Sequence, residues 1–316
     1  MNSHNNHVVY SHSGIDWNPV VDGDFNVRFG SCTREPKDFR TETLLTAELI
    51  NSSMESDYCI GISGGIDSEI VARAFFECGF DFTPIVFKFK DDWNRSENEL
   101  AFSFLNYYGV KPEIVELDIM EYFTTDVLKI AEEFRVAFRT LPYLYWLNTK
   151  TELPMINGSG LANIFQHPKR EKEMCFTVSN CINPYPQLKY KGIKAVPEFF
   201  FYTPEMMASV LLDEDVKKFC ELGWTTSNKG LDSWKMWFIP KYYENDKNPV
   251  ELRKKKHGFE KIMETGIMAD TGWKLEPHLK NYQVCSWEHR DFLSSLLGEK
   301  EWSEPELIKD RVDFYA

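Results

Sequence analysis

The chain has 316 residues, of which 43% are hydrophobic and 27% charged, a balance that excludes large-scale disorder and suits one large α/β domain or two modest ones. Its 36 Lys and Arg against 49 Asp and Glu give a net charge of −13, which repels phosphate backbones at long range and argues against extended nucleic-acid tracking. No apolar run approaches the ~20 residues needed to span a bilayer, and the polar Met1–His7 segment lacks signal-peptide character, so a cytoplasmic location is expected.

In chain order, the first ten residues read as a loose tail, Phe25 to Phe29 as a short strand, and Asp38 to Ser52 as a helix with Leu44, Leu45, Ala47 and Ile50 on one face. Tyr58-Cys59-Ile60-Gly61-Ile62 is a buried-strand candidate that runs into Ser63-Gly64-Gly65. A helix follows with Ile70, Val71, Ala74, Phe75 and Cys78 on one stripe. Pro84 to Phe87 gives a second strand, Glu97 to Tyr108 a helix with Leu100, Ala101, Phe104, Leu105 and Tyr108 inward, and Glu113 to Leu117 a third strand. Asp126 to Phe138 reads as a helix, and Leu153 to Ile156 as a fourth strand entering Asn157-Gly158-Ser159-Gly160. This alternation predicts an α/β fold, a parallel sheet with right-handed crossovers and helices on both faces. Ligands of such sheets lie beyond the carboxyl ends of the strands, where both glycine-containing turns fall. Past about residue 170 the pattern weakens into aromatic stretches at Phe199–Tyr202 and Trp234–Tyr243 and candidate helices over Pro204–Leu212 and Pro249–Thr265, a mostly helical region.

The segment Ser63-Gly64-Gly65-Ile66-Asp67-Ser68 carries the clearest chemistry. Glycines admit close approach of backbone to a phosphate, and the start of the following helix offers free N–H groups and a positive dipole end. Ser63 and Ser68 add hydroxyl donors. Asp67 would repel a phosphate unless a cation lies between them, and Mg²⁺ suits that place. The loop is neither a Walker A motif nor a dinucleotide fingerprint.

Ser-Gly-Gly-x-Asp-Ser after a strand resembles the signature of the N-type PP-loop ATP pyrophosphatases. The stretch from Tyr58 to Phe165 is most similar in appearance to the synthetase domain of asparagine synthetase, through the loop, Leu141-Pro142-Tyr143-Leu144-Tyr145-Trp146, and Met155-Ile156-Asn157-Gly158-Ser159-Gly160. The resemblance implies an adenine nucleotide alpha-hydrolase-like (HUP) fold and ATP with Mg²⁺ as cofactors. It implies attack by a carboxylate or amide oxygen of a small-molecule acceptor on the α-phosphate, then displacement of AMP by ammonia or an amine. By the same analogy Ser63, Gly64, Gly65, Asp67 and Ser68 hold pyrophosphate, with Asp67 on the metal. Ile62, Phe87 and Lys88 lie at the adenine, Asn157 and Gly158 line the ribose side, and Lys169 and Arg170 join Asp67 and Ser68 as catalytic candidates. The implied division is an N-terminal extension packed on the core (1–57), a PP-loop ATP-binding domain (58–170) and a substrate or cap region (171–316).

Two departures stand out. The second turn of asparagine synthetase carries acidic residues where this chain has Gly158-Ser159-Gly160-Leu161-Ala162-Asn163. The segment before Tyr58 is also too short for a glutaminase domain, so ammonia is expected free or from a partner. The alternatives are a PP-loop enzyme that modifies a nucleobase or transfers sulfur, or a non-catalytic nucleotide-binding protein. The seven cysteines lack a Cys-x-x-Cys pair and the seven histidines lack metal spacing. The basic run Arg253–Lys256 is a solvated face or an anion site, His257 is either catalytic or the mark of a helix end or kink, and the aromatic stretches leave room for a homodimer.

Overall fold

The computed structural model describes residues 7–19, 22–135, 140–159, 161, 164–166, 174–179, 184–222, 235–250, 262, 264–267 and 283–309. Strict alternation builds its first sheet: β1 (Val8–His12) and β3 (Phe25–Phe29) each bury every second side chain and pair antiparallel, with β2 (Ile15–Asp16) on the outer side of β1. The expected loose tail therefore gives way to a strand at Val8. The polar residues before it conceal the pattern Val8, Tyr10, His12 that turns one face inward.

α1 (Phe39–Ser53) starts where the Asp38 carboxylate accepts from the Thr41 N–H, satisfying one of the donors a helix start leaves open. It leads to β4 (Cys59–Gly61), α2 (Ile66–Glu77), β5 (Thr83–Phe89), α3 (Arg95–Tyr107) and β6 (Glu113–Leu117). Cys59 and Ile60 of β4 and Pro84 to Val86 of β5 are buried, as parallel strands covered by helices must be. One inward assignment fails: Leu100 is 40% exposed, because the buried stripe of α3 runs through Glu97, Asn98, Ala101, Phe104 and Leu105.

The helix expected from residue 126 begins earlier. Asp118 accepts from the N–H groups of Met120 and Glu121 to start α4 (Ile119–Glu121), a π-helical turn spans Tyr122–Asp126, and α5 (Val127–Phe134) stops at Arg135 in the left-handed conformation. α6 (Thr140–Asn148) then precedes β7 (Met155–Ile156).

Residues beyond 170 depart from the mostly helical expectation. β8 (Ile164–Gln166), β9 (Met174–Ser179), β11 (Val284–Glu288) and β12 (Glu306–Ile308) form an antiparallel sheet in the order β12-β11-β9-β8. β9 and β11 bury both faces, so neither shows the alternation that reveals a strand in sequence. Between them lie α7 (Tyr185–Tyr190), β10 (Ala195–Val196), α8 (Pro204–Leu211), α9 (Glu214–Leu222) and α10 (Lys235–Lys241), and α11 (His289–Leu296) follows β11. The Pro204–Leu212 helix is present as α8, whereas most of the Pro249–Thr265 helix falls outside the described residues.

The parallel sheet has five strands in the order β10-β7-β4-β5-β6, with helices packed around it. Its fifth strand comes from residues 195–196, past the boundary drawn at 170. Phe29 joins the two antiparallel sheets: its ring meets Phe176, Trp287 and Phe292 at 5.9, 5.7 and 5.2 Å. No described helix is long and apolar enough to cross a membrane.

Candidate functional site

The strand order fixes where a crevice opens. From β4 the chain winds outward through β5 and β6 on one side, then returns to add β7 and β10 on the other. The carboxyl ends of β4 and β7 therefore diverge into loops that leave in opposite directions, the usual ligand position of open α/β sheets. The Ser63–Ser68 loop follows β4, and the Asn157–Ser159 turn follows β7.

The first loop is braced from within. The Ser63 N–H donates to Ser68 Oγ (3.1 Å), the two hydroxyls lie 3.2 Å apart, and Ser68 Oγ donates to the Gly65 carbonyl (2.9 Å). Ser68 thus acts first as a brace, its proton committed to the loop, whereas Ser63 is exposed at the surface. Gly65 is the N-cap of α2 and no side chain caps that end, leaving a helix start suited to an anion. Gly64 is left-handed (φ +71°), and a β-carbon there would overlap the Glu97 carbonyl oxygen. The loop is pressed against the first turn of α3.

The second turn closes on the first. A β-carbon on Gly158 would lie 2.6 Å from the Asp67 carbonyl group and 2.7 Å from the Ser68 nitrogen, and one on Gly61 would lie 3.0 Å from Asn157 Oδ1. Only glycines admit this backbone-on-backbone approach. The Asn157 carbonyl accepts from the Phe199 N–H at 3.1 Å and its N–H donates to Val196 (2.9 Å), so β10 holds the turn in place. Asn157 Nδ2 is buried with no hydrogen-bond partner among the described residues, a donor that a ligand acceptor would satisfy.

Other expected residues fall into different places. Ile62 is 2% exposed and gives its N–H to the Ile85 carbonyl (2.8 Å), so it supports the loop from the core. Phe87 is half-buried, and Lys88 pairs with Asp92 at 3.0 Å. Asp67 is half-buried beneath Gly158. Lys169, Arg170, Gly160, Ala162, Asn163, His167 and the run Arg253–His257 lie outside the described residues.

Three polar residues that sequence reasoning passed over line the same end of the sheet. Asn94 accepts from the Phe89 N–H and donates to the Phe87 carbonyl, both at 2.9 Å, and exchanges hydrogen bonds with Asn98, tying the end of β5 to the start of α3. Glu97 is 8% exposed. Burial first, and then the Glu97 charge, push the Tyr143 phenol far above its ordinary range. An acid on the inward stripe of a predicted helix was the available signal for Glu97. After β5, Asp91 and Asp92 take positive φ of 57° and 56°, a local strain at the rim of the crevice.

Among the described residues no group of three or more His, Cys, Asp or Glu could hold a metal alone, and the six described cysteines are free thiols. Burial is the main cause that pushes Cys59 and Cys285 up to about 12, which leaves neither as a ready nucleophile.

No family model matches the chain, and no curated protein matches it. Among solved structures, NMN synthetase from Francisella tularensis aligns over 37% of this chain and 52% of its own, at 20% identity and a TM-score of 0.26. The chain thus spans about half of that structure's length, and a likeness this low carries no argument. The structure shows an α/β protein whose five-stranded parallel sheet brings two glycine-bearing turns together, one after β4 and one after β7.

Proposed function

We propose that the chain is an ATP-dependent adenylating ligase of the PP-loop (HUP) kind, cleaving ATP to AMP and pyrophosphate to activate a small-molecule carboxylate or amide oxygen for C–N bond formation. The observation that carries this reading is the contact of Gly158 with the Asp67–Ser68 backbone, which sets two glycine turns around an uncapped helix start at the divergence of β4 and β7. In this reading the α2 amides and the exposed Ser63 hydroxyl receive the pyrophosphate oxygens, Ser68 keeps the loop in shape, and Asn157 Nδ2 meets the ribose side. The donor set fits magnesium bound together with the nucleotide, since that ion takes one or two carboxylates plus phosphate oxygens. Asp67 would hold it, and when bound it neutralises charge on the departing pyrophosphate. The acceptor oxygen forms a bond to the α-phosphorus as the bridge to the β-phosphate breaks. Ammonia or an amine then forms the C–N bond and AMP leaves. The thiols pushed up by burial weigh against sulfur transfer.

The test is release of AMP and pyrophosphate from ATP·Mg²⁺ with a metabolite extract, wild type beside Asp67→Ala. The reading expects extract-dependent release of both in equal amounts, reduced by on the order of 10²–10³ in the variant. ADP and phosphate as products would overturn it. ATP binding with no turnover in any extract would favour a nucleotide-binding protein without catalysis.

A further inference from the structure

A separate concavity opens between the N-terminal sheet and α7, with a volume of about 250 Å³. Its walls are aromatic. Tyr10 and Tyr185 lie with ring centroids 5.5 Å apart, and Trp17 meets Tyr190 edge-on at 6.2 Å. Asp16 and Lys189 line the same space, both exposed, and neither forms an ion pair among the described residues. Trp17 is 8% exposed, and its indole N–H is buried with no hydrogen-bond partner among the described residues.

These features select one chemistry. Ring faces attract an ammonium group, and Asp16 supplies the countercharge. A lone cation would still face Lys189. A lone anion would satisfy Lys189 but face Asp16. Only a molecule with both charges meets every group. The volume sits just below the roughly 300–1,000 Å³ typical of drug-sized ligands, which suits a small metabolite. We propose that this cavity binds a small zwitterion of the α-amino acid type, with its ammonium toward Asp16 and the aromatic rings and its carboxylate on Lys189 Nζ.

The site stands apart from the nucleotide crevice, sharing no residue with it, yet adjoins the element that supports it. Glu198, just past β10, is close enough to Tyr185 for its charge to add to burial in pushing that phenol up, and the next residue, Phe199, donates to the Asn157 carbonyl.

The proposal does not rest on the adenylating reading, and its test is run without ATP. Isothermal titration of the full chain with each of the common protein amino acids, to about 10 mM, is expected to give saturable one-site binding for at least one of them. For that ligand, the matching amine without the carboxylate and the matching acid without the amine should each bind at least about tenfold more weakly. Asp16→Asn and Lys189→Met, both at exposed positions, should weaken the amino acid by a similar factor while circular dichroism stays unchanged. No saturable binding by any amino acid, equal binding of the amine or acid analogue, or affinity indifferent to both charge-removing variants would overturn the proposal.

Discussion

Gly64 and Gly158 hold the crevice together by what they lack. Alanine at Gly64 meets a left-handed backbone, costing roughly 1–2 kcal/mol, and a β-carbon that overlaps the Glu97 carbonyl. Gly64→Ala is therefore expected to lower both the thermal midpoint and ATP affinity, the latter by more than about tenfold, as read by melting and nucleotide titration. Gly158 has no left-handed strain, so Gly158→Ala reports the inter-turn contact alone. The turn must back away from Asp67, and ATP affinity should fall by more than stability does. Wild-type affinity in that variant would detach the second turn from the site. At this scale the Ser-Gly-Gly-Ile-Asp-Ser loop was legible because its residue types carry their meaning locally. Asn94 was not, since its value comes from hydrogen bonds to the backbone of Phe87 and Phe89, and Glu97 showed only as an acid on an inward stripe, its place beside the Gly64 turn being set by the fold.

Among the elements, α2 does two tasks: its first turn faces the crevice and its middle is riveted inside. Arg73 and Glu69, each 2% exposed, pair at 2.7 and 2.9 Å within the helix. The Arg73 guanidinium also lies over the rings of Phe104 and Tyr243 at 5.5 and 5.9 Å. Arg40 extends the network to Glu77 and Asp246. Removing one partner leaves the other charged and buried, so Glu69→Gln or Arg73→Met is expected to cost about 3–5 kcal/mol in urea denaturation. The double replacement should recover part of that loss; a cost equal to the sum of the singles would deny the pairing. The strands and helices of residues 58–156 were readable because apolar stripes and short buried runs alternated with turns. β9 and β11 hid because strands buried on both faces carry no period, and they pair with each other across a long stretch of chain.

For the molecule as a whole, His7 predicts the acid limb of stability. Expected in a polar tail, it instead donates from Nε2 to the Phe201 carbonyl at 2.7 Å, and burial lowers its pKa from 6.5 to about 4 against the weaker opposing pull of that bond and Glu205. The unfolded chain takes the proton first. The contribution is therefore complete above pH 6.5 and about 3 kcal/mol is lost as pH falls from 6.5 towards 4. Burial lowers His12 as well, in the same direction. His7→Gln, which keeps a donor for Phe201, should flatten the fall in denaturation midpoint between about pH 7 and pH 5; an unchanged slope would place the acid sensitivity elsewhere.

The seam between the first strands and the last sheet sets a timetable. Gln283 accepts from the Phe25 N–H and donates to the Gly23 carbonyl, and Cys285 Sγ donates to the Phe25 carbonyl, contacts that join positions about 260 residues apart. At roughly 5–20 residues per second on the ribosome, the earliest strands wait on the order of 10–50 s for the surface they lie against. Until β11 emerges, Phe25 lacks its hydrogen-bond partners and Phe29 the rings of Trp287 and Phe292, so the nascent chain is a natural client for a chaperone that shields apolar segments.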